Sequence, residues 1–151
     1  MKQDNPLERK LVLVDLENVC GKSKLSVEDA EQAKEDFFSR HQRGNNDLVV
    51  IGTSHPNNML AAKAGWGEGR CVMQNDHNGG DLAIIEAARS HFDNIATFSE
   101  VVLSSGDGIF TSLVRDITRK GVRVTVASRI GSLNANLAKS ASCLSFLDCR
   151  A

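Results

Sequence analysis

The sequence lacks three features that would each assign it to a special class of protein. Neither sign of charge is in excess, because 18 Lys and Arg residues stand against 19 Asp and Glu residues. Any polyanion would therefore have to be held by a local patch and not by a basic coat. No apolar run approaches the ~18 residues of a membrane span, and residues 1–10 are polar, without the apolar segment of a secretory signal. These absences predict an ordinary globular protein in the cytoplasm, without membrane contact.

The cysteines do not indicate a disulfide framework or a zinc site, because none of them forms a C-x-x-C pair. In a chain of this size, scattered cysteines are typical of reduced thiols and not of a disulfide frame or a zinc site. Their positions are Cys20, Cys71, Cys143 and Cys149.

What the sequence does contain is an alternation of short apolar runs and amphipathic segments. The 151 residues predict one domain over residues 1–151, with a flexible lead-in at residues 1–9. Strands are predicted at residues 11–14, 48–51, 70–74, 101–103, 122–127 and 144–147, and helices at 27–38, 56–64, 81–92, 109–120 and 133–139. Strands that alternate with helices through short connections are typical of an α/β fold. We therefore expect a three-layer, Rossmann-like sandwich with a mostly parallel central sheet of about five to six strands.

Three aspartates fall where such a fold would bring them together. Asp15 ends the first strand and Asn18 follows it, Asp81 begins a helix after Gly79 and Gly80, and Asp107 follows the fourth strand. Ligands of open α/β sheets bind beyond the carboxyl ends of the strands. Clustered carboxylates suit a hard divalent cation such as Mg²⁺. A bound cation lowers the pKa of a water and polarises a phosphoryl oxygen, which is the equipment for phosphodiester hydrolysis.

Each of these residues also has a purely structural interpretation. Asp15 could cap the next turn, Asn18 could be a turn residue, Asp81 could be a helix N-cap, and Asp107 could belong to a structural turn. Each spacing is weakly specific by itself. The combination, with its placement at strand ends, favours a metal site.

Other candidates carry less weight. From residue 101 onwards seven basic residues stand against three acidic ones, which could form a face for a phosphate backbone. Arg129 is the best of these for substrate binding, because it follows a strand. Trp66 could stack on a base or simply pack, and His55 and His77 could contact substrate or lie on the surface. Cys20 lies near the predicted site without a paired base, so it is not predicted to be a nucleophile.

The motifs resemble those of the NYN domain, a branch of the PIN-like ribonuclease superfamily. Residues 11–18 resemble the family's opening strand with its D-x-x-N motif, residues 79–83 its second acidic motif, and residues 101–110 its third. The resemblance spans nearly the whole chain. It implies a PIN-like sandwich and an RNA-cleaving activity that depends on Mg²⁺ or Mn²⁺. It assigns metal binding to Asp15, Asp81 and Asp107, a ligand or phosphate contact to Asn18, and support of the third motif, beside the substrate, to Ser105. PIN-like domains often pair, so a homodimer is also implied.

The sequence departs from the family pattern at two positions. Ile109 stands where the third motif usually has a second acid, and Gly80 stands where a basic residue often precedes the second motif. The first hypothesis is a metal-dependent endoribonuclease, and the second is an RNA- or protein-binding module with weak or no turnover. A small-molecule nucleotide binder is a third, disfavoured because neither G-x-G-x-x-G nor G-x-x-x-x-G-K-[ST] occurs.

Overall fold

The computed structural model describes residues 8–75 and 79–147. Within these ranges strands and helices alternate along the chain, as the sequence predicts. The strands are β1 Lys10–Asp15, β2 Leu48–Thr53, β3 Arg70–Met73, β4 Glu100–Ser104, β5 Val124–Ser128 and β6 Cys143–Phe146. The helices are α1 Leu16–Cys20, α2 Val27–Phe38, α3 Pro56–Gly65, α4 Gly79–Arg89, α5 Thr111–Arg119 and α6 Ala135–Ser140. Two short 3₁₀ segments, Phe92–Thr97 and Gly108–Phe110, precede β4 and α5 respectively.

The six described strands form one sheet in the order β3-β2-β1-β4-β5-β6. Every neighbouring pair is parallel. The strand order reverses between β1 and β4, where Leu13 of β1 aligns with Leu103 of β4. This confirms the predicted α/β sandwich. The reversal point is also where a ligand crevice opens in sheets of this kind.

Side chains on the central strands alternate between two apolar cores, one on each face of the sheet. Leu11 and Leu13 belong to the core that α4, α5 and α6 cover. Val12 and Val14 belong to the core that α1, α2 and α3 cover. Burying each such side chain contributes ~1.5–3 kcal/mol. Trp66 lies in the second core with none of its surface exposed, which confirms its packing role and excludes it as a platform for a base.

Local signals explain where two of the helices begin. The Ser26 hydroxyl accepts a hydrogen bond from the Asp29 backbone N–H, and the Asp29 carboxylate accepts one from the Ser26 backbone N–H. This reciprocal capping box satisfies two donors at the start of α2. In α3, Pro56 occupies the first turn, where its missing N–H costs nothing.

The structure differs from the prediction around α1 and α4. α1 was not predicted, because five residues are too few to show a helical period. α4 begins at Gly79 and ends at Arg89, so the prediction of a helix over residues 81–92 was shifted. Two glycines are poor helix formers, and tertiary packing overrides that preference here.

Some predictions fall on residues outside those described, namely His77, Cys149 and most of the lead-in at residues 1–9. The single-domain boundary stays a prediction. Among the described residues, no helix has both the length and the apolar character that crossing a membrane requires.

Candidate metal centre

The three predicted aspartates meet at the carboxyl end of the sheet. One carboxylate oxygen from each of Asp15, Asp81 and Asp107 lies within 4.8 Å of the other two. Asp15 is 3% exposed and Asp81 is 8% exposed. The convergence predicted from the strand ends is therefore present, and it draws on segments that are far apart in the sequence.

Asp15 reaches the site because it is the last residue of β1. It directly precedes α1. Its carboxylate accepts a hydrogen bond from the Ser105 hydroxyl at 2.9 Å. That bond holds the Asp15 side chain toward β4, across the reversal point.

Asp81 reaches the site because glycines let α4 approach the sheet closely. A Cβ atom added to Gly79 would lie 1.6 Å from the Gln74 carbonyl oxygen, and one added to Gly52 would lie 2.4 Å from Cγ1 of Ile84. Neither position has room for any side chain. Asp81 is the third residue of α4, so it lies within the first turn and is not an N-cap.

Asp107 combines a structural role with a place in the cluster. Its carboxylate accepts a hydrogen bond from the Ile109 backbone N–H at 3.0 Å, which caps the 3₁₀ segment. Its own backbone N–H donates to the Ser105 hydroxyl at 3.1 Å. The structural interpretation of Asp107 is therefore confirmed, and the same residue also lies in the aspartate cluster.

Ser105 links two of the three aspartates. Its side chain is fully buried, and its hydroxyl donates to Asp15 while it accepts from the backbone of Asp107. This geometry favours a supporting role behind the carboxylates over a direct contact with substrate.

Asn18 lies within α1, so its interpretation as a turn residue is wrong. Its side-chain oxygen accepts a hydrogen bond from the Gly106 backbone N–H at 3.0 Å. That bond ties α1 to the segment carrying Asp107 and fixes which way the amide faces. The amide nitrogen of Asn18 is then oriented as a donor at the same end of the sheet.

The carboxylates of the cluster are close together and largely shielded from solvent, and both conditions disfavour their ionised forms. Burial, reinforced by the neighbouring Asp15 and Asp107, raises the pKa of Asp81 to about 9. Burial also raises the pKa of Asp15 above its ordinary value. A cation removes both the repulsion and the unfavourable burial of charge. The three carboxylates lie close enough together, within 4.8 Å, to be candidate oxygen ligands of one hard cation.

Glu17 is a site-region residue that the sequence analysis missed. Its carboxylate accepts hydrogen bonds from the Ser54 backbone N–H, the Ser54 hydroxyl and the Asn58 amide, at 2.6 to 2.9 Å. These bonds fasten α1 to the turn between β2 and α3. One sequence signal could have indicated this role of Glu17. Ser54 is a polar residue directly after a buried strand, and Glu17 is an acid that follows another strand.

The structure brings Arg129 to a different place from the aspartates. A Cβ atom added to Gly21 would lie 2.1 Å from the guanidinium of Arg129, so this side chain lies against the end of α1. It also donates to the Ser132 hydroxyl at 2.9 Å. Arg129 is not part of the aspartate cluster, and its predicted substrate contact stays a prediction.

The remaining candidates from the sequence, namely the other basic residues, His55 and Cys20, also lie outside the aspartate cluster. Arg123 pairs with Glu100 and Arg119 with Asp116, so these basic residues are partly neutralised by neighbouring acids. His55 is exposed. Burial raises the pKa of the Cys20 thiol to about 11, which agrees with the prediction that Cys20 is not a nucleophile.

Comparisons with known proteins bear on both the family and the fold of this chain. The family model described as the NYN domain matches residues 57–148, a stretch that contains Asp81 and Asp107 but not Asp15. Among solved structures, a protein of unknown function from Vibrio parahaemolyticus is similar, with a TM-score of 0.66 and 20% sequence identity over 97% of each chain. That likeness supports the fold alone. No curated protein matches this chain.

Proposed function

This chain belongs to the NYN domain family, within the PIN-like superfamily, and we propose that it is a metal-dependent endoribonuclease. The observation that carries the proposal is the meeting of Asp15, Asp81 and Asp107 within 4.8 Å at the reversal point of the sheet. The family match covers two of these residues, and the geometry adds the third.

Asp15, Asp81 and Asp107 would hold the cation, which we propose to be Mg²⁺ or Mn²⁺. When bound, such an ion supplies neutralisation of phosphate charge and acidification of a water. A carboxyl group binds a metal ion effectively only in its ionised form. The raised pKa values of Asp15 and Asp81 therefore mean that protons must leave these residues before they can act as ligands.

The residues around the carboxylates keep them in place and orient the substrate. Ser105 holds the Asp15 carboxylate and the Asp107 backbone at once, so two of the three ligands share one support. Asn18, whose oxygen is engaged by Gly106, would donate its amide N–H to a phosphate oxygen. Fixed donors and acceptors of this kind stabilise charge without reorganising during the reaction.

The substrate we propose is RNA, which is what membership of this family implies, and the place of action is the cytoplasm.

We also propose that two copies pair as a homodimer, which light scattering of the purified chain would test. Exposed Leu144 and Phe146 on the edge strand β6 are the apolar surface that such pairing would cover.

A second candidate function is an RNA-binding module without turnover. It is favoured by Ile109, which packs against the apolar core at the position where the family's third motif usually has another acid. Among the residues that the structure describes, the metal-binding cluster consists of three acids. Three carboxylates suffice for one Mg²⁺ that keeps several waters.

The deciding experiment measures cleavage of a labelled RNA by the full chain in Mn²⁺ or Mg²⁺, with EDTA as the blank. Asp15→Asn and Asp107→Asn should each lower the rate by at least ~100-fold, because each removes a charged ligand. Asp116→Asn, which alters an acid paired with Arg89, is the matched control and should leave the rate unchanged. Cleavage that survives both ligand variants would point to another site. RNA binding without any cleavage would favour the second candidate.

A further inference from the structure

A cavity of about 170 Å³ lies beside α1, on the face of the sheet that α1 and α2 cover. Its inner surface is apolar, formed by Val19, Cys20, Ala33 and Leu147. Pockets for drug-sized ligands measure ~300–1,000 Å³. A cavity of this size therefore admits a group about as large as one planar ring system.

The polar groups of the cavity include hydrogen-bond donors and hydrogen-bond acceptors. Arg129 forms one wall, while Asp29, Gln32 and Asp36 supply the rest of the polar lining. Although the Arg129 Nε atom is buried, it has no hydrogen-bond partner among the described residues. The Gln32 amide donates to the Asp36 carboxylate at 2.9 Å, which fixes its orientation and leaves its oxygen as an acceptor.

This mixture selects among occupants. The Asp29 carboxylate is already paired with the Lys22 ammonium at 2.8 Å. The Asp36 carboxylate disfavours a phosphate or another anion, although Arg129 is present. A neutral aromatic ring with donors and acceptors along its edge fits both parts, because a guanidinium plane stacks on a base while amide and carboxylate groups read its edge. The acceptor oxygens favour a ring that carries an exocyclic amino group.

The cavity and the aspartate cluster share the short helix α1. Val19 and Cys20 belong to the same short helix that Asp15 precedes, four and five residues further on. At ~1.5 Å of rise per residue this separation is about 6–8 Å along the helix axis. A base in the cavity would therefore keep its own backbone phosphate within reach of the carboxylates.

We propose that this cavity binds one unpaired base of the RNA strand, and that it prefers adenine or cytosine to uracil. This inference rests on the proposed function, because it identifies the cavity as the specificity subsite of the same centre. Gln32 reads the amino group and Arg129 stacks on the ring. Both are specificity-determining residues and neither is catalytic.

The test measures binding of fluorescein-labelled pentanucleotides of A, C or U to the full chain in EDTA, by fluorescence anisotropy. The wild type should bind the A and C oligonucleotides roughly fivefold more tightly than the U oligonucleotide, the effect of one net hydrogen bond. Gln32→Ala should remove that preference. Arg129→Ala should weaken all three by about tenfold, because it removes a charged donor and the stacking plane.

Matched controls lie away from the cavity. Gln42→Ala changes another exposed glutamine, and Arg115→Ala removes an exposed arginine on α5, so both should leave all three affinities unchanged. Gln32 is exposed, and its variant is therefore expected to fold, which circular dichroism checks. Equal wild-type affinities for the three oligonucleotides would overturn the proposal. So would an unchanged preference in Gln32→Ala, or an equal loss in Arg115→Ala and Arg129→Ala.

Cleavage of the same oligonucleotides in Mn²⁺ separates the two proposals. Cleavage without any base preference would leave the nuclease proposal standing and remove the cavity from it. A base preference that Gln32→Ala abolishes, without any cleavage by the wild type, would support the cavity as a base-binding site and overturn the nuclease proposal.

Discussion

The two ends of the central sheet treat acidic side chains in opposite ways. At the amino end, Glu100 lies 3.6 Å from the Arg123 guanidinium and accepts a hydrogen bond from Thr125, and Asp47 pairs with Lys10. At the carboxyl end, Asp15, Asp81 and Asp107 lie beside one another. The ion pairs found in the described part of the chain include none of these three.

This difference separates acids that are paired within the chain from acids that are crowded together. Glu100 and Asp47 at the amino end each have a cationic neighbour. At the carboxyl end, the neighbouring Asp15 and Asp107 add to the effect of burial and disfavour ionisation of Asp81. Removal of an acidic charge should therefore change stability with opposite signs at the two ends. Of the four measurements below, the first tests how α4 reaches the carboxyl end, and the other three test that contrast.

The largest loss of stability is expected from adding a side chain at Gly79, where α4 packs closely enough to bring Asp81 to the site. Gly79→Ala places a Cβ atom 1.6 Å from a backbone oxygen, so α4 must move away, and we expect a loss of ~3 kcal/mol in unfolding free energy. Denaturant unfolding measures it. Gly67→Ala is the control, because its Cβ meets nothing within 4 Å and only the positive φ costs ~1 kcal/mol. Equal losses for the two variants would contradict the close-packing explanation.

Addition of Mn²⁺ should produce the next largest effect. An ion that binds only the folded chain stabilises it by ~2.7 kcal/mol at a hundred times its Kd. For a chain of this length that corresponds to a rise of about 5–10 °C in Tm. Asp15→Asn should lose most of this rise, whereas Asp47→Asn should keep it. A wild type whose Tm does not respond to Mn²⁺ or Mg²⁺ would show that the cluster is not a metal site.

Asp81→Asn should stabilise the metal-free protein. The folded pKa of Asp81, about 9, lies above the 3.8 that is ordinary for an aspartate. The stability linked to its proton is therefore fully present below about pH 4 and is lost as the pH rises toward 9. At pH 8 in EDTA, we expect the variant to gain at least ~1 kcal/mol and to lose much of this pH dependence. A lower Tm than the wild type at pH 8, with no change at pH 5, would reverse the sign and contradict the account.

The smallest effect belongs to the amino end. Glu100→Gln removes the charge that faces Arg123, whose side chain is 62% exposed, and exposed pairs contribute ~0.2–1 kcal/mol. We expect a loss of about 0.5 kcal/mol in EDTA at pH 8, opposite in sign to Asp81→Asn. Thermal unfolding of both variants in one buffer measures the contrast directly, and a gain for Glu100→Gln would remove it.

The sequence predicted the convergence of the aspartates because parallel strands share one carboxyl edge. Asp15 and Asp107 each follow a buried apolar run, so their place was readable once the strands were recognised. The supports of the site were less accessible. α1 is too short to have a period, and the need for glycine at position 79 arises from Gln74 of another segment.

Side-chain direction was the other limit. Arg129 follows a strand, as expected, but it lies against Gly21 and lines the cavity beside α1. Glu17 was invisible as a fastening residue, because its partners Ser54 and Asn58 are far away in the sequence. Contacts of this kind are set by the packing of the chain and leave no local pattern.

The carboxylate cluster is assembled from residues 15, 81 and 107, which belong to separate parts of the chain. No fragment that ends before residue 107 contains the whole cluster. Occupancy of the cluster by an ion would thus report that β1, α4 and the segment after β4 have come together, because no shorter fragment has a competing copy of the site.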